Sequence, residues 1–412
     1  MNIFEIIKSD YKVNLPKFPV CEGPMGILYD FNDGARLYLP SGNWHILIED
    51  KDTGNILEEL DSTGGMIQSY IRYYVKFSIK VWIKGHSEPI FEHTLNLKGK
   101  KIRILFSVYP TGDVIAWMST AVAFVKKHSC QAEFTMSKQM SELFKDQYPE
   151  IAFIDPRSDI LHFKSIYASY HLGNHYSKDE DYDSRYSPYD LRISPLHSQA
   201  TALLGINVPL TPPKVKYGSR RIIPERYVVI ACKTTKKAKK WNNPNGWIQT
   251  AAYLRRLGYR VICIGIGIVQ DKEKQIPVGA EDFTGKKPLT ECAAIIEHCD
   301  FFIGLDTGLS WLAWCMARPV VVIGGFTLPH HLFYTPYHVI TQYACGGCFH
   351  DVHFSLFEEL YPYDCCPRHK GTSREFECSK LITGKQVIRT IQQLMIDNNL
   401  TRPCDGKSIY SY

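Results

Sequence analysis

No run in this sequence approaches the roughly 20 consecutive apolar residues that cross a bilayer. The opening Met-Asn-Ile-Phe-Glu-Ile-Ile-Lys-Ser-Asp lacks the long apolar segment and small-residue cleavage site of an export signal. A cytoplasmic protein with no membrane insertion is expected. Net charge is also scarce: +6 over 412 residues is too mild to signal a nucleic-acid partner by itself. Cysteine is not scarce. Thirteen cysteines without an export signal argue for free buried thiols plus a metal site, not a disulfide framework. Cys263, Cys292 and Cys315 lie in apolar surroundings and read as small core residues.

The length predicts two to three domains. Residues 1–100 read as a β-sheet or barrel domain. Ile27–Phe31 and Arg36–Leu39 flank Asn32-Asp33-Gly34, a hairpin signal. Further strands are expected at Trp44–Glu49, Ile56–Leu60, Tyr73–Ile83 and Ile90–Leu97. From Lys101 strands alternate with helices, which implies a parallel, doubly wound sheet. Residues 101–215 form a first Rossmann-like lobe, ending in a linker with Pro212-Pro213. Residues 216–326 repeat the alternation as a second lobe. Residues 327–384 are an aromatic, cysteine-bearing segment, and 385–412 a helix and tail. Two such lobes face each other across a cleft.

Three stretches carry chemistry. In the first, a strand from Ile102 to Val108 ends at Tyr109-Pro110-Thr111-Gly112-Asp113, and a helix follows from Val114 to Val125. Taken alone, Asp113 reads as a helix cap. It also stands at the carboxyl end of a strand, where open α/β sheets bind ligands. In the second, Phe301–Leu305 is followed by Asp306-Thr307-Gly308 and an apolar helix, repeating the same logic. The bare amides of that helix, with the Thr307 hydroxyl and Gly308, make a phosphate-sized anion site. The third is Cys232-Lys233-Thr234-Thr235-Lys236-Lys237-Ala238-Lys239-Lys240-Trp241, after the first strand of the second lobe. A lysine run is usually a solvated loop, but here it begins on the predicted ligand edge, where it could neutralise a diphosphate. Asp181-Tyr182-Asp183, inside a tyrosine-rich segment, could hold a divalent metal; its acidic, solvated surroundings favour a plain surface loop.

Together these stretches resemble the heptosyltransferases of lipopolysaccharide assembly, two-lobed enzymes of the GT-B fold. In that family a Gly-Asp-Val supplies the catalytic base, Thr-Thr followed by Lys and Trp binds the donor phosphates, and Asp-Thr-Gly grips the ADP portion. The resemblance makes Asp113 the base and assigns donor binding to Thr111, Gly112, Thr234, Thr235, Lys239, Trp241, Asp306, Thr307 and Gly308, with Lys233 a second phosphate candidate. Where the family has His after Asp-Thr-Gly, this chain has Trp311, so a diphosphate contact is unfilled or replaced.

Cys345-Gly-Gly-Cys348 is followed by Cys365-Cys366-Pro-Arg-His-Lys-Gly and Glu377-Cys378-Ser-Lys-Leu-Ile-Thr. This is the spacing of a four-thiolate structural metal site, with Cys345, Cys348, Cys366 and Cys378 as ligands and Cys365 spare. Chemistry alone suggests zinc, with iron second. The core, the β-rich N-terminal module and this late cluster resemble the bacterial autotransporter heptosyltransferases. That resemblance implies transfer of heptose from ADP-heptose to serine hydroxyls of an adhesin passenger, in the cytoplasm. It also implies one structural iron ion per subunit and a ring-like homo-oligomer, a dodecamer. The expected chemistry is an inverting transfer without a catalytic divalent metal. A lipopolysaccharide-type enzyme with a lipid-sugar acceptor is the alternative. A zinc-ribbon nucleic-acid binder is disfavoured, because the lysines lie far from the cysteines in sequence.

Overall fold

The computed structural model describes residues 15–106, 110–156, 165–173, 182–216, 220–234, 236–266, 276–285, 287–353, 365–404 and 406–407. Up to residue 100 it contains β1 (Cys21–Glu22), β2 (Leu28–Asn32), β3 (Arg36–Leu39), β4 (Trp44–Asp50), β5 (Ile56–Ser62), β6 (Gly65–Gln68), β7 (Phe77–Ile83) and β8 (Phe91–Thr94), paired antiparallel with one another. The β2–β3 turn places Asp33 and Gly34 at φ 60° and 87°, the left-handed geometry that Asp-Gly tolerates and that matches strand twist. Asp30 and Arg36 face each other across this hairpin, with Arg36 Nε 2.9 Å from Asp30 Oδ1, both buried.

The first lobe adds β9 (Lys101–Leu105), α1 (Thr111–His128), β10 (Gln131–Thr135), α2 (Lys138–Phe144), β11 (Ile151–Ile154), β12 (Ala168–His171) and α3 (Leu196–Leu203). Hydrogen bonds draw the boundary at residue 100 differently from the sequence reading. The sheet order is β11-β10-β9-β12-β2-β3-β6, with β1 on β2, and β2 runs parallel to β12. Half of the N-terminal module therefore extends the first lobe's sheet, and only β5-β4-β7-β8 stands as a sheet of its own.

The second lobe comprises β13 (Tyr227–Ala231), α4 (Gly246–Arg256), β14 (Arg260–Ile266), β15 (Glu281–Gly285), α5 (Leu289–Glu297), β16 (Phe302–Gly304), α6 (Gly308–Cys315), β17 (Val320–Ile323) and β18 (His338–Val339). Its six strands are parallel in the order β15-β14-β13-β16-β17-β18. The chain closes with α7 (Glu377–Lys380) and α8 (Gly384–Asp397), the latter opened by a capping box between Thr383 and Gln386.

One apolar core runs from Phe31 through Trp117 of α1 to Trp311 and Phe333 of the second lobe. α1 is buried nearly all round, on Val114, Ile115, Trp117, Met118, Ala121, Phe124 and neighbours, because it lies between its sheet, α3 and α6. Trp117 Nε1 donates to Leu196 O at 2.9 Å, locking α3 against it. A second core, including Val228, Leu254 and Ile391, joins the second sheet to α4 and α8.

Candidate active site

The N-termini of α1 and α6, one from each lobe, meet head to head. A Cβ added to Gly308 would lie 2.5 Å from Thr111 Cβ and 3.0 Å from Gly112 N. A Cβ on Gly112 would lie 2.8 Å from Trp311 Cδ1. Both glycines are required by this approach, not by backbone strain. The two helix N-termini thus point their partial positive charge into one region.

Asp113 occupies the first turn of α1, while the N-cap position belongs to Pro110 and has no side-chain cap. The carboxylate is therefore not the cap that the sequence allowed. It keeps some solvent contact but lies deep enough that desolvation pushes its pKa up to about 7. Lys239 pulls against this shift and Asp306 adds to it. A carboxyl group poised near neutrality is suited to general base chemistry.

Lys239 Nζ lies 3.1 Å from Asp306 Oδ2, and the Thr327 hydroxyl also donates to that oxygen. Burial raises the Asp306 pKa, but Lys239, Thr327 and nearby His331 outweigh it and hold the carboxyl below its ordinary range. The Thr307 hydroxyl, at the N-cap of α6, is buried with no hydrogen-bond partner among the described residues. An orphaned hydroxyl beside unsatisfied helix amides is what an anionic ligand would complete. Lys233 and Thr234 leave the end of β13 half-buried, with the Lys233 stem near Gly265. Thr235 and Asp181 lie outside the described residues.

Two expected donor contacts have other surroundings. Trp241 is buried, its Nε1 donates to Ile382 O at 2.9 Å, and its ring leaves room only for glycine at Gly246. It supports the lysine loop from behind. Trp311 is 1% exposed and packs edge-on against Trp314 and Phe333, so its indole forms part of the lobe contact. Asp183 is buried and holds Arg185, whose Nε lies 2.8 Å from Oδ1, which leaves no divalent-metal geometry with described neighbours. Sequence reasoning passed over Thr327 and His331. Their signal was topological: they follow β17 at the same carboxyl edge as Asp306.

The cysteine segment abuts this edge. Cys348, Cys366 and Cys378 are buried and Cys345 is half-buried. Burial first, and then the charge of the other three thiols, raises Cys378 to about 12. Cys348 is likewise raised by burial to about 11, with Cys345 and Cys366 adding to the shift. The thiols perturb one another around a knuckle turned by Gly347 at φ 68°, and thiolate is a soft donor. The ligand atoms that lie within 4.8 Å of one another among the described residues are, however, those of Cys345, His369 and Glu377, so the expected set of four thiols is not drawn together here. The segment is tied to the lysine loop: Cys348 packs with Ala238 and Phe326, and Asn242 Nδ2 lies 2.9 Å from Ser379 Oγ.

Two α/β lobes that meet at paired helix N-termini, with a carboxyl group from one and a lysine-carboxylate pair from the other, have the architecture of a GT-B glycosyltransferase. The sequence matches Glycosyltransferase family 9 (heptosyltransferase) over residues 173–348 and the N-terminal domain of glycosyltransferase TibC over residues 23–85. It is 41% identical to the autotransporter heptosyltransferase TibC of Escherichia coli O78:H11, with 94% of each chain covered. It is 32% identical to an inactive autotransporter heptosyltransferase, BimC of Burkholderia thailandensis, over 91% of this chain and 88% of that one. The crystal structure of TibC from enterotoxigenic E. coli, described as an iron-containing dodecameric glycosyltransferase, superposes with a TM-score of 0.86 at 40% identity, covering 93% of this chain and 99% of TibC. A second TibC structure contains ADP-D-β-D-heptose. The lipopolysaccharide heptosyltransferase II of E. coli shares the fold, with a TM-score of 0.52 at 14% identity over 73% of this chain and 99% of its own. The chain belongs to the autotransporter heptosyltransferases. No helix among the described residues is long and apolar enough to cross a membrane.

Proposed function

We propose that this chain is a protein O-heptosyltransferase, moving heptose from ADP-heptose to serine hydroxyls of an autotransporter adhesin passenger in the cytoplasm. The observation that carries the reading is the convergence of Asp113, Lys239 and Asp306 where α1 and α6 meet. The family contains an inactive member, so membership alone does not establish turnover. A base candidate with its pKa near 7 argues for an active protein.

In the proposed reaction Asp113 takes the proton of the acceptor serine as its oxygen attacks the anomeric carbon. The bond from that carbon to the diphosphate oxygen breaks, ADP departs, and the in-line displacement inverts the centre. Negative charge growing on the diphosphate is met by Lys239 and Lys233, by the hydroxyls of Thr234 and Thr307, and by the amides at Gly308. Thr111 and Gly112 close the first-lobe side, and Thr235 belongs to the same donor loop.

Cys345, Cys348, Cys366 and Cys378 would hold one structural iron ion, by analogy with the iron-containing relative. Bound there, the metal supplies a cross-link to a loop-rich segment. A dodecamer is proposed on the same basis. Intact-mass measurement of a passenger fragment, after incubation with the protein and ADP-heptose, tests the reading. Added heptose units support it; ADP-heptose binding without transfer would redirect the acceptor to a lipid-linked sugar.

A further inference from the structure

His331 ends a short helical turn, Pro329–His331, after Thr327 on the ligand edge of the second sheet. Its Nδ1 lies 3.0 Å from the carbonyl oxygen of Ser194, a residue of the first lobe. A carbonyl only accepts, so Nδ1 carries the hydrogen and Nε2 is left with a bare lone pair. No hydrogen bond to a described residue ends on that nitrogen, and it is not among the atoms sealed from solvent, so a ligand can reach it. The ring is 5% exposed, and burial lowers its pKa to about 4 although Asp306 pulls the other way, so it stays neutral.

The neighbouring His350 provides the contrast. Its Nε2 accepts from Leu328 N–H at 3.1 Å and its Nδ1 faces Arg192 O, so the protein uses both nitrogens. His350 is a complete structural bridge between the lobes. His331 is half of one, with an acceptor to spare beside Asp306.

A bare imidazole nitrogen needs a partner that brings a hydrogen. The diphosphate brings none, so His331 is no substitute for the histidine contact that Trp311 has displaced. The hydroxyls of a glycosyl group do bring hydrogens, and the proposed reaction puts that group between Asp113 and the diphosphate-binding residues beside His331.

Resting on the reading of an ADP-sugar donor, we propose that His331 sets donor-sugar specificity. Its Nε2 accepts a hydrogen bond from a hydroxyl of the bound glycosyl group while its Nδ1–H holds Ser194 of the other lobe.

Calorimetric titration of the full-length protein with ADP and with ADP-heptose tests this. In His331→Asn the side-chain amide nitrogen takes the place of Nδ1, keeping the Ser194 bond and removing the acceptor. ADP-heptose affinity should fall about tenfold, worth about 1.4 kcal/mol, with ADP affinity unchanged within about twofold. Equal weakening of both ligands, which a ribose contact or a purely structural role would give, overturns the proposal, as does no weakening of either. If that variant does not fold, His331→Gln decides, since its amide oxygen reaches the place of Nε2. It should retain the preference for ADP-heptose over ADP, and loss of that preference overturns the proposal. Wild-type protein that binds ADP but gains nothing from the heptose would remove the donor reading as well. Strong wild-type preference with an unaltered His331→Asn variant would remove only the role of His331.

Discussion

Lys239 Nζ stands 3.1 Å from Asp306 Oδ2 and so joins the loop after β13 to the loop after β16. Both charges act on Asp113 from the other lobe, Lys239 lowering and Asp306 raising its pKa. The proposed donor-binding pair is thereby electrostatically coupled to the proposed base.

The acid limb of the rate profile should report Asp113. Only the ionised carboxylate accepts a proton, so kcat/KM is expected to rise with pH through about 7 and level off above it. Asp113→Asn should lower turnover by about 10² to 10⁴ and leave ADP affinity within a few-fold of wild type. A profile flat from pH 5.5 to 8 would detach Asp113 from the chemistry.

Altering either member of the ion pair should move that limb in opposite directions. Lys239→Met removes a positive charge, so Asp113 becomes harder to ionise and the limb shifts to higher pH. Asp306→Asn removes a negative charge and shifts it to lower pH. Both variants will bind ADP more weakly, so kcat at saturating donor is the quantity to follow. Shifts of the same sign would show that the loops rearrange instead.

The same carboxyl group costs stability. Unfolded Asp113 ionises near its ordinary value of 3.8, but folded Asp113 ionises only near 7, so between those values the folded state holds the extra proton. Its contribution therefore falls as pH rises through that window and stays low above it. Asp113→Asn, neutral throughout, should melt higher than wild type at pH 8, by a margin that shrinks at pH 5. Differential scanning calorimetry at the two pH values measures it. An equal margin at both would mean packing, not charge, is responsible.

Much of this organisation was legible from local patterning. Asp33-Gly34 marked the β2–β3 turn because few residues tolerate positive φ in succession. The Asp113 and Asp306 loops were found because a strand, a tight turn and an apolar helix each leave a distinct spacing. Non-local facts left no such trace. β12 is four residues long, and only tertiary contact shows that it inserts between β9 and β2. β15, Glu-Asp-Phe-Thr-Gly, is a polar edge strand without the apolar alternation that announces a strand. Trp311 looked like a replaced ligand contact because spacing gives a position on a helix but not the face turned to the other lobe. His331 sits in a segment with no period, and only its Ser194 contact reveals which nitrogen is free.

The close approach of α1 and α6 should tolerate no added carbon. In Gly308→Ala the new methyl would meet Thr111 Cβ at 2.5 Å and Gly112 N at 3.0 Å. One of these is backbone, so the helices must separate. A cost of about 1–3 kcal/mol is expected for such overpacking, read as a lower urea midpoint. Turnover should fall more than ADP affinity, because the carboxylate and the donor lie on opposite sides of the widened contact. A variant with wild-type stability and rate would mean that this contact opens freely.

The cysteine segment provides the last test. Gly347 N–H donates to Gly325 O at 2.8 Å, Cys348 packs on Ala238 and Phe326, and Ser379 and Ile382 receive Asn242 and Trp241. Each contact ends on the loop that carries Lys239 or on the strand end beside Asp306. A metal drawing Cys345, Cys348, Cys366 and Cys378 together should hold that loop in place as well as stabilise its own segment. Cys348→Ser, or chelation of the purified protein, should then lower metal content, melting temperature and ADP affinity together. Asp113→Asn should leave metal content and ADP affinity alone. The joint measurement is elemental analysis, a thermal melt and an ADP titration on the same preparations. Metal loss with full ADP affinity would show that the lysine loop is held by apolar packing alone and that the metal serves only its own segment.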